Sequence, residues 1–140
     1  MDSLERKLCD MQGRLFKLSV DKGFESISFI KFFMSSEIAK GLDSEFDRTQ
    51  WAGEEYLIDE ITSEHKDKLP IGDTFDKEVM YWIGYTYRYW HYYTGESSKA
   101  ILKQSPPKTM AANYLMFHTM DTKMAVDNLK EIHKQKHNKN

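Results

Sequence analysis

The sequence predicts an all-α fold: a compact single-domain bundle of about six or seven helices around a central aromatic-rich helix, residues 75–94. Three observations carry that expectation. Gly and Pro number only 7 and 3 in 140 residues, too few for the regular turns of a sandwich or barrel. Apolar residues recur at three- and four-residue steps along most of the chain, the period of a helix with one buried face. One segment carries aromatic side chains on nearly every side of a helical projection, the pattern of a helix packed all round. A hydrophobic fraction of 40% and an aromatic fraction of 14% are too high for a disordered chain. The length fits one domain, residues 1–134, followed by a basic frayed tail, 135–140.

The elements follow in order. Asp2 and Glu5 have capping-box spacing, and Leu4, Leu8, Met11, Leu15 and Leu18 make one apolar seam on a first helix. Gly13 weakens its middle by about 1 kcal/mol relative to Ala. Lys22-Gly23 is a stop signal. Ser26 opens a second helix through Lys40, with Ile27, Ile30, Met34 and Ile38 on one face, Phe29 and Phe33 beside them, and Gly41 as its C-terminal cap. Residues 42–47 form a connector. A third helix over 48–64 has Trp51, Tyr56, Leu57, Ile58 and Ile61 as apolar content and Glu54, Glu55, Asp59 and Glu60 on its polar side. Residues 65–73, with Pro70 and Gly72, are a loop.

Asp73 or Thr74 caps the fourth helix, which stops at Gly95. On its surface Tyr81, Tyr85, Arg88 and Tyr92 form one stripe and Met80, Gly84, Tyr87 and His91 another. Gly84 suits a close approach by another backbone. Arg88, among tyrosines, requires a carboxylate if it is buried, and Glu54, Glu55 or Asp59 of the third helix is the expected supplier. Ser97 or Ser98 then caps a short helix to Gln104, broken at Ser105-Pro106-Pro107. A helical stretch follows over 108–119. Asp121 or Thr122 caps a last helix, whose pattern is lost from Lys134.

Composition narrows the function classes. With 20 basic against 22 acidic residues the net charge is -2, which argues against DNA or membrane-surface affinity. Cys9 is the single cysteine, so an internal disulfide framework and a multi-thiolate zinc site are excluded. The mixed-charge N-terminus leads into no signal core and no run reaches the ~20 apolar residues of a span. The expected compartment is the cytoplasm. No Gly-rich phosphate loop, serine elbow or cysteine–histidine pair is present, so no cofactor is expected. His133 and His137 have the i, i+4 spacing of a metal face, but they lie in a basic tail without a third ligand, and no metal site is expected.

Arg88, His91 and Tyr93 resemble the motif of the HEPN ribonucleases, in which an Arg, a polar residue and a His share a central helix. That resemblance implies activation of an RNA 2′-hydroxyl by His91, with Arg88 on the phosphate. The Arg-to-His spacing here is shorter than in that family, and Tyr89 stands where the family has a polar residue. A second resemblance covers most of the chain. Tyr81-Trp82-Ile83-Gly84-Tyr85, Tyr87-Arg88-Tyr89-Trp90-His91, Thr94-Gly95-Glu96-Ser97-Ser98-Lys99 and Phe117-His118-Thr119 are similar to phrases in a family of small uncharacterised bacterial proteins associated with toxin–antitoxin-like loci. It implies an antitoxin or accessory role and supplies no active site. The expected function is therefore a non-enzymatic interaction module, with Trp51, Trp90, Arg88, Tyr81, Tyr85 and Tyr92 as binding residues. Its expected partner is another protein such as a toxin, or a second copy in a homodimer.

Overall fold

The computed structural model describes residues 1–45 and 47–138. The described residues form nine α-helices and two 3₁₀ turns: α1 (Ser3–Asp21), α2 (Ser26–Met34), α3 (Glu37–Asp43), a 3₁₀ turn at Arg48–Trp51, α4 (Glu54–His65), a second at Lys66–Lys68, α5 (Lys77–Thr94), α6 (Ser98–Gln104), α7 (Pro107–Ala112), α8 (Tyr114–Phe117) and α9 (Thr122–Asn138). The chain is all-α, with one isolated antiparallel bridge between Phe24 and Ile71 among the described residues. No helix among them is long and apolar enough to cross a membrane.

The helix count exceeds the expected six or seven because two expected helices are each divided in two, while a third keeps one α-helix and begins as a 3₁₀ turn. The second breaks at Ser35-Ser36. The Ser36 hydroxyl donates to the Phe33 carbonyl at 2.6 Å and accepts from the Ala39 amide, so one side chain ends α2 and caps α3. Gly41 is therefore inside α3 and not a cap. The third divides at Gly53, whose φ of 81° is outside the helical region, leaving Trp51 on the 3₁₀ turn and Tyr56 on α4. The stretch 108–119 divides at Asn113, whose side chain bonds back to the Thr109 carbonyl at 2.8 Å. Pro107 occupies the first turn of α7, where a missing N–H costs nothing. α5 starts at Lys77, after the Asp76 cap, two residues later than expected. The tail expected to fray from 135 continues α9 to Asn138; 139–140 lie outside the described residues.

The capping box of α1 forms as its spacing requires, each partner's side chain bonding the other's backbone amide. Its buried face is broader than a leucine seam: Leu8, Met11, Leu15 and Phe16 are joined by Gln12 and Ser19. The reason is the way α1 lies along α5. A Cβ on Gly84 would sit 2.6 Å from the Gln12 carbonyl oxygen and 2.8 Å from Phe16 Cγ. One on Gly13 would sit 2.7 Å from the Tyr81 ring. The two glycines thus permit near backbone-to-backbone contact. α4 and α2 also pack on α1, and α9, α6 and α7 on α5. Phe16 meets Phe29 and Phe33 edge-on, at centroid distances of 5.5 and 5.2 Å.

Gly84→Ala gains helix propensity of about 1 kcal/mol but drives a methyl into fixed backbone, so a net loss of about 2–3 kcal/mol is expected by urea denaturation. Gly13→Ala meets mainly a partly exposed ring that can shift, and its loss should be clearly smaller. Equal losses would show that the Gly84 contact is not the tight one.

Candidate functional site

α5 carries most of the candidate residues, and the structure sorts them by burial. Arg88 and Trp90 are both 0% exposed, so neither presents a surface to a partner. Tyr81, Tyr85 and Tyr92 are partly exposed, and Trp51, on its 3₁₀ turn, is 76% exposed. The aromatic helix is therefore not covered all round: Tyr81, Trp82, Tyr85 and Tyr89 leave one side partly open.

Arg88, on α5, is held by groups from three other helices. Its Nε donates to Gln12 Oε1 at 2.8 Å, one terminal nitrogen to Asp43 Oδ1 at 2.5 Å and the other to Ser98 Oγ at 3.0 Å. Gln12 in turn donates to the Gly84 carbonyl at 2.9 Å. Asp43 accepts the Ser98 amide and hydroxyl at 2.8 and 2.7 Å. The counter-charge comes from the end of α3, in the stretch expected to be a connector, and not from the acidic third helix. Glu54 instead pairs with Arg14 at 3.4 Å, while Glu55 and Asp59 are exposed. Gln12, Asp43 and Ser98 escaped the sequence reading because each is an ordinary polar residue in its local pattern; only packing converges them.

His91 Nδ1 lies 2.7 Å from the Glu96 carbonyl oxygen. A carbonyl only accepts, so Nδ1 is the donor in this contact. His91 and Tyr92 line a groove of about 490 Å³ whose other walls include Asp2, Glu5, Asp43 and Glu45. Burial pushes the Tyr92 phenol up to about 12, and its buried oxygen has no hydrogen-bond partner among the described residues. Tyr93 is turned away, donating to Asp127 on α9 at 2.7 Å. The Arg88–His91–Tyr93 trio is thus not assembled: all three guanidinium nitrogens of Arg88 are engaged, and a phosphodiester beside His91 would face carboxylates.

Glu96 closes the same, C-terminal end of α5. Burial would raise its pKa, but Lys130 at 2.6 Å, Trp90 Nε1 at 3.0 Å and the Gln104 amide all donate to the carboxylate, and together they lower it from 4.5 to about 2. His133, on the next turn of α9 from Lys130, packs against His137 at 4.2 Å between ring centroids. Its pKa is lowered by desolvation and then by His137 and Lys130. Among the described residues no group of three His, Cys, Asp or Glu is placed to hold a metal ion. Cys9 is buried, and its thiol is raised to about 12 by that burial, which leaves it an inert packing residue.

Among the described residues, two further grooves are walled by aromatic side chains. Trp51 and Tyr56, 76% and 63% exposed, border a groove of about 360 Å³ with Thr49, Leu57 and Glu60. Glu55 and Asp59 are exposed on the same helix as Tyr56. The second surface is an apolar groove of about 620 Å³ between α5 and α8, walled by Tyr81, Trp82, Tyr85, Tyr114 and His118. Tyr114 meets Trp82 edge-on at 5.8 Å and stacks on His118 at 4.3 Å, and the Tyr81 hydroxyl is anchored on Asp10. No protein-family model matches the sequence, and no curated protein or solved structure is significantly similar to it.

Arg88→Met leaves Asp43 without its counter-charge in a mostly buried setting and should cost about 3–5 kcal/mol in chemical denaturation; a melt matching the parent's would show that the pair is dispensable. Glu96 supplies the pH dependence. Its folded pKa is below the unfolded value, so its contribution is complete above about 4.5 and disappears as pH falls toward 2. Glu96→Gln should lower stability at neutral pH and flatten the stability-versus-pH curve in that window, as followed by circular dichroism.

Proposed function

We propose that the chain is a non-enzymatic helical interaction module, an antitoxin or accessory protein of a toxin–antitoxin-like system, working in the bacterial cytoplasm. In this reading its helices form one folding unit around α5, and its recognition surface is the Trp51–Tyr56 groove. The observation that carries the reading is the exposure of Trp51. Tryptophan at 76% exposure is costly to hydrate and is the residue type that most often anchors a protein interface. A second large aromatic, Tyr56, stands beside the same groove.

The charge around the groove indicates the kind of partner. Glu55, Asp59 and Glu60 surround Tyr56 on α4, so electrostatic complementarity favours a basic surface. A nucleic-acid-directed toxin has that chemistry, because phosphate binding requires Lys and Arg. An HEPN-type nuclease is disfavoured by two features: Arg88 is engaged on every nitrogen, and the groove at His91 is acidic.

The test is capture from the native host with the tagged protein, followed by calorimetry on the recovered partner. A basic protein should be retained by the parent. Trp51→Ala with Tyr56→Ala should weaken its binding at least ~10-fold without moving the melting temperature, since both side chains project into solvent. Retention of the same partner by the double variant would remove this groove from consideration. Purified protein should also leave mixed RNA intact; cleavage lost in His91→Ala would reverse the assignment.

A further inference from the structure

The groove between α5 and α8 differs from the Trp51 surface in a way that identifies its occupant. Leu115 and Met116, which lie in the chain between the groove's wall residues Tyr114 and His118, are 82% and 69% exposed. α8 is one helical turn, fixed by Phe117, which is buried, and by Tyr114, whose ring packs edge-on against Trp82. The neighbouring Leu115 and Met116 are thereby held out in solvent on a firmly seated turn. A projecting apolar pair thus sits on the one-turn helix whose Tyr114 walls an apolar hollow, and a two-fold axis near that rim would seat each projection in the partner's hollow. Isologous contacts require this self-complementarity.

Charge points the same way. The groove is bordered by Lys17, Lys77 and Glu78. Lys77 is neutralised by Asp21 at 2.6 Å, which leaves Lys17 and Glu78 as an opposite pair with no ion-pair partner among the described residues. Across a two-fold axis, Lys17 of one copy can meet Glu78 of the other. The Trp51 surface, whose lining carries Glu60, would set carboxylate against carboxylate in such a pairing, which is repulsive. The mixed-sign groove, with Lys17 and Glu78 on one rim, suits a second copy of this chain.

We propose that the chain forms a symmetric dimer in which Leu115 and Met116 of each copy fill the Tyr81–Trp82–Tyr85–Tyr114 groove of the other. Sedimentation velocity on the full chain from ~1 to ~200 µM, where an interface of micromolar affinity becomes populated, should show a reversible monomer–dimer equilibrium. Leu115→Asp with Met116→Asp should weaken it on the order of 100-fold, the loss expected for two buried apolar side chains. The melting temperature should be unchanged, because both side chains are exposed in the monomer. Lys17→Glu should also weaken the dimer, and adding Glu78→Lys should restore it. Trp51→Ala with Tyr56→Ala should leave it intact, separating this surface from the one assigned to the basic partner. A monomer at every concentration, an open-ended assembly, or a dimer insensitive to the Leu115 and Met116 changes would each overturn the proposal.

Discussion

The structure depends on the closeness of α1 to α5. Gly13 and Gly84 bring the two helices within reach of each other's backbone, and at that separation Gln12 can bond the Gly84 carbonyl while accepting from Arg88. The guanidinium is therefore aimed from α1, and Asp43 and Ser98 complete its surroundings from α3 and α6. A larger residue at Gly84 would separate the helices and with them the groups that neutralise a fully buried cation. Burying Arg88 is costly, and its contacts offset that cost only when all are present. The network therefore acts more as a specification of how α1, α3, α5 and α6 assemble than as a source of stability.

That specification also decides which residues remain for function. Arg88 and Trp90 have the chemistry of interface anchors, yet both are buried by their own chain, Trp90 being tied further to Glu96 and, through its ring, to Lys130 at 5.6 Å. The aromatics that meet solvent are set elsewhere, by local geometry. The positive φ of Gly53 separates Trp51 from α4, and Asn113 separates α8 from α7. Each break turns what would have been a longer amphipathic helix into a short element carrying exposed apolar side chains. The two surfaces also differ in their charged lining, Glu60 on the first and Lys17, Lys77 and Glu78 on the second.

Much of the fold was legible in the residues themselves. The all-α class, the capping box at Asp2, the stop at Gly95 and the close approach at Gly84 each depend on short-range spacing or on a residue with one clear conformational role. The errors have a common origin. Ser36, Gly53 and Asn113 divide helices that hydrophobic periodicity alone would run through, because the apolar pattern continues in phase across the break. Gly13 was legible only as a weakening of α1, since its role as a contact point with Tyr81 needs the neighbouring helix to be in place.

The sequence by itself determined that the chain is helical, where most helices begin, and that Arg88 would need a carboxylate. These follow from local propensity and from the cost of an isolated charge, which are properties of each residue and its near neighbours. Only the tertiary structure decided that the carboxylate is Asp43 rather than one from α4, that Trp90 is buried while Trp51 is not, and that Leu115 and Met116 are left exposed on the turn that begins at Tyr114. Those outcomes depend on which helix faces meet across dozens of residues of chain. Burial and pairing are properties of the packed assembly, and no periodicity along the sequence encodes them.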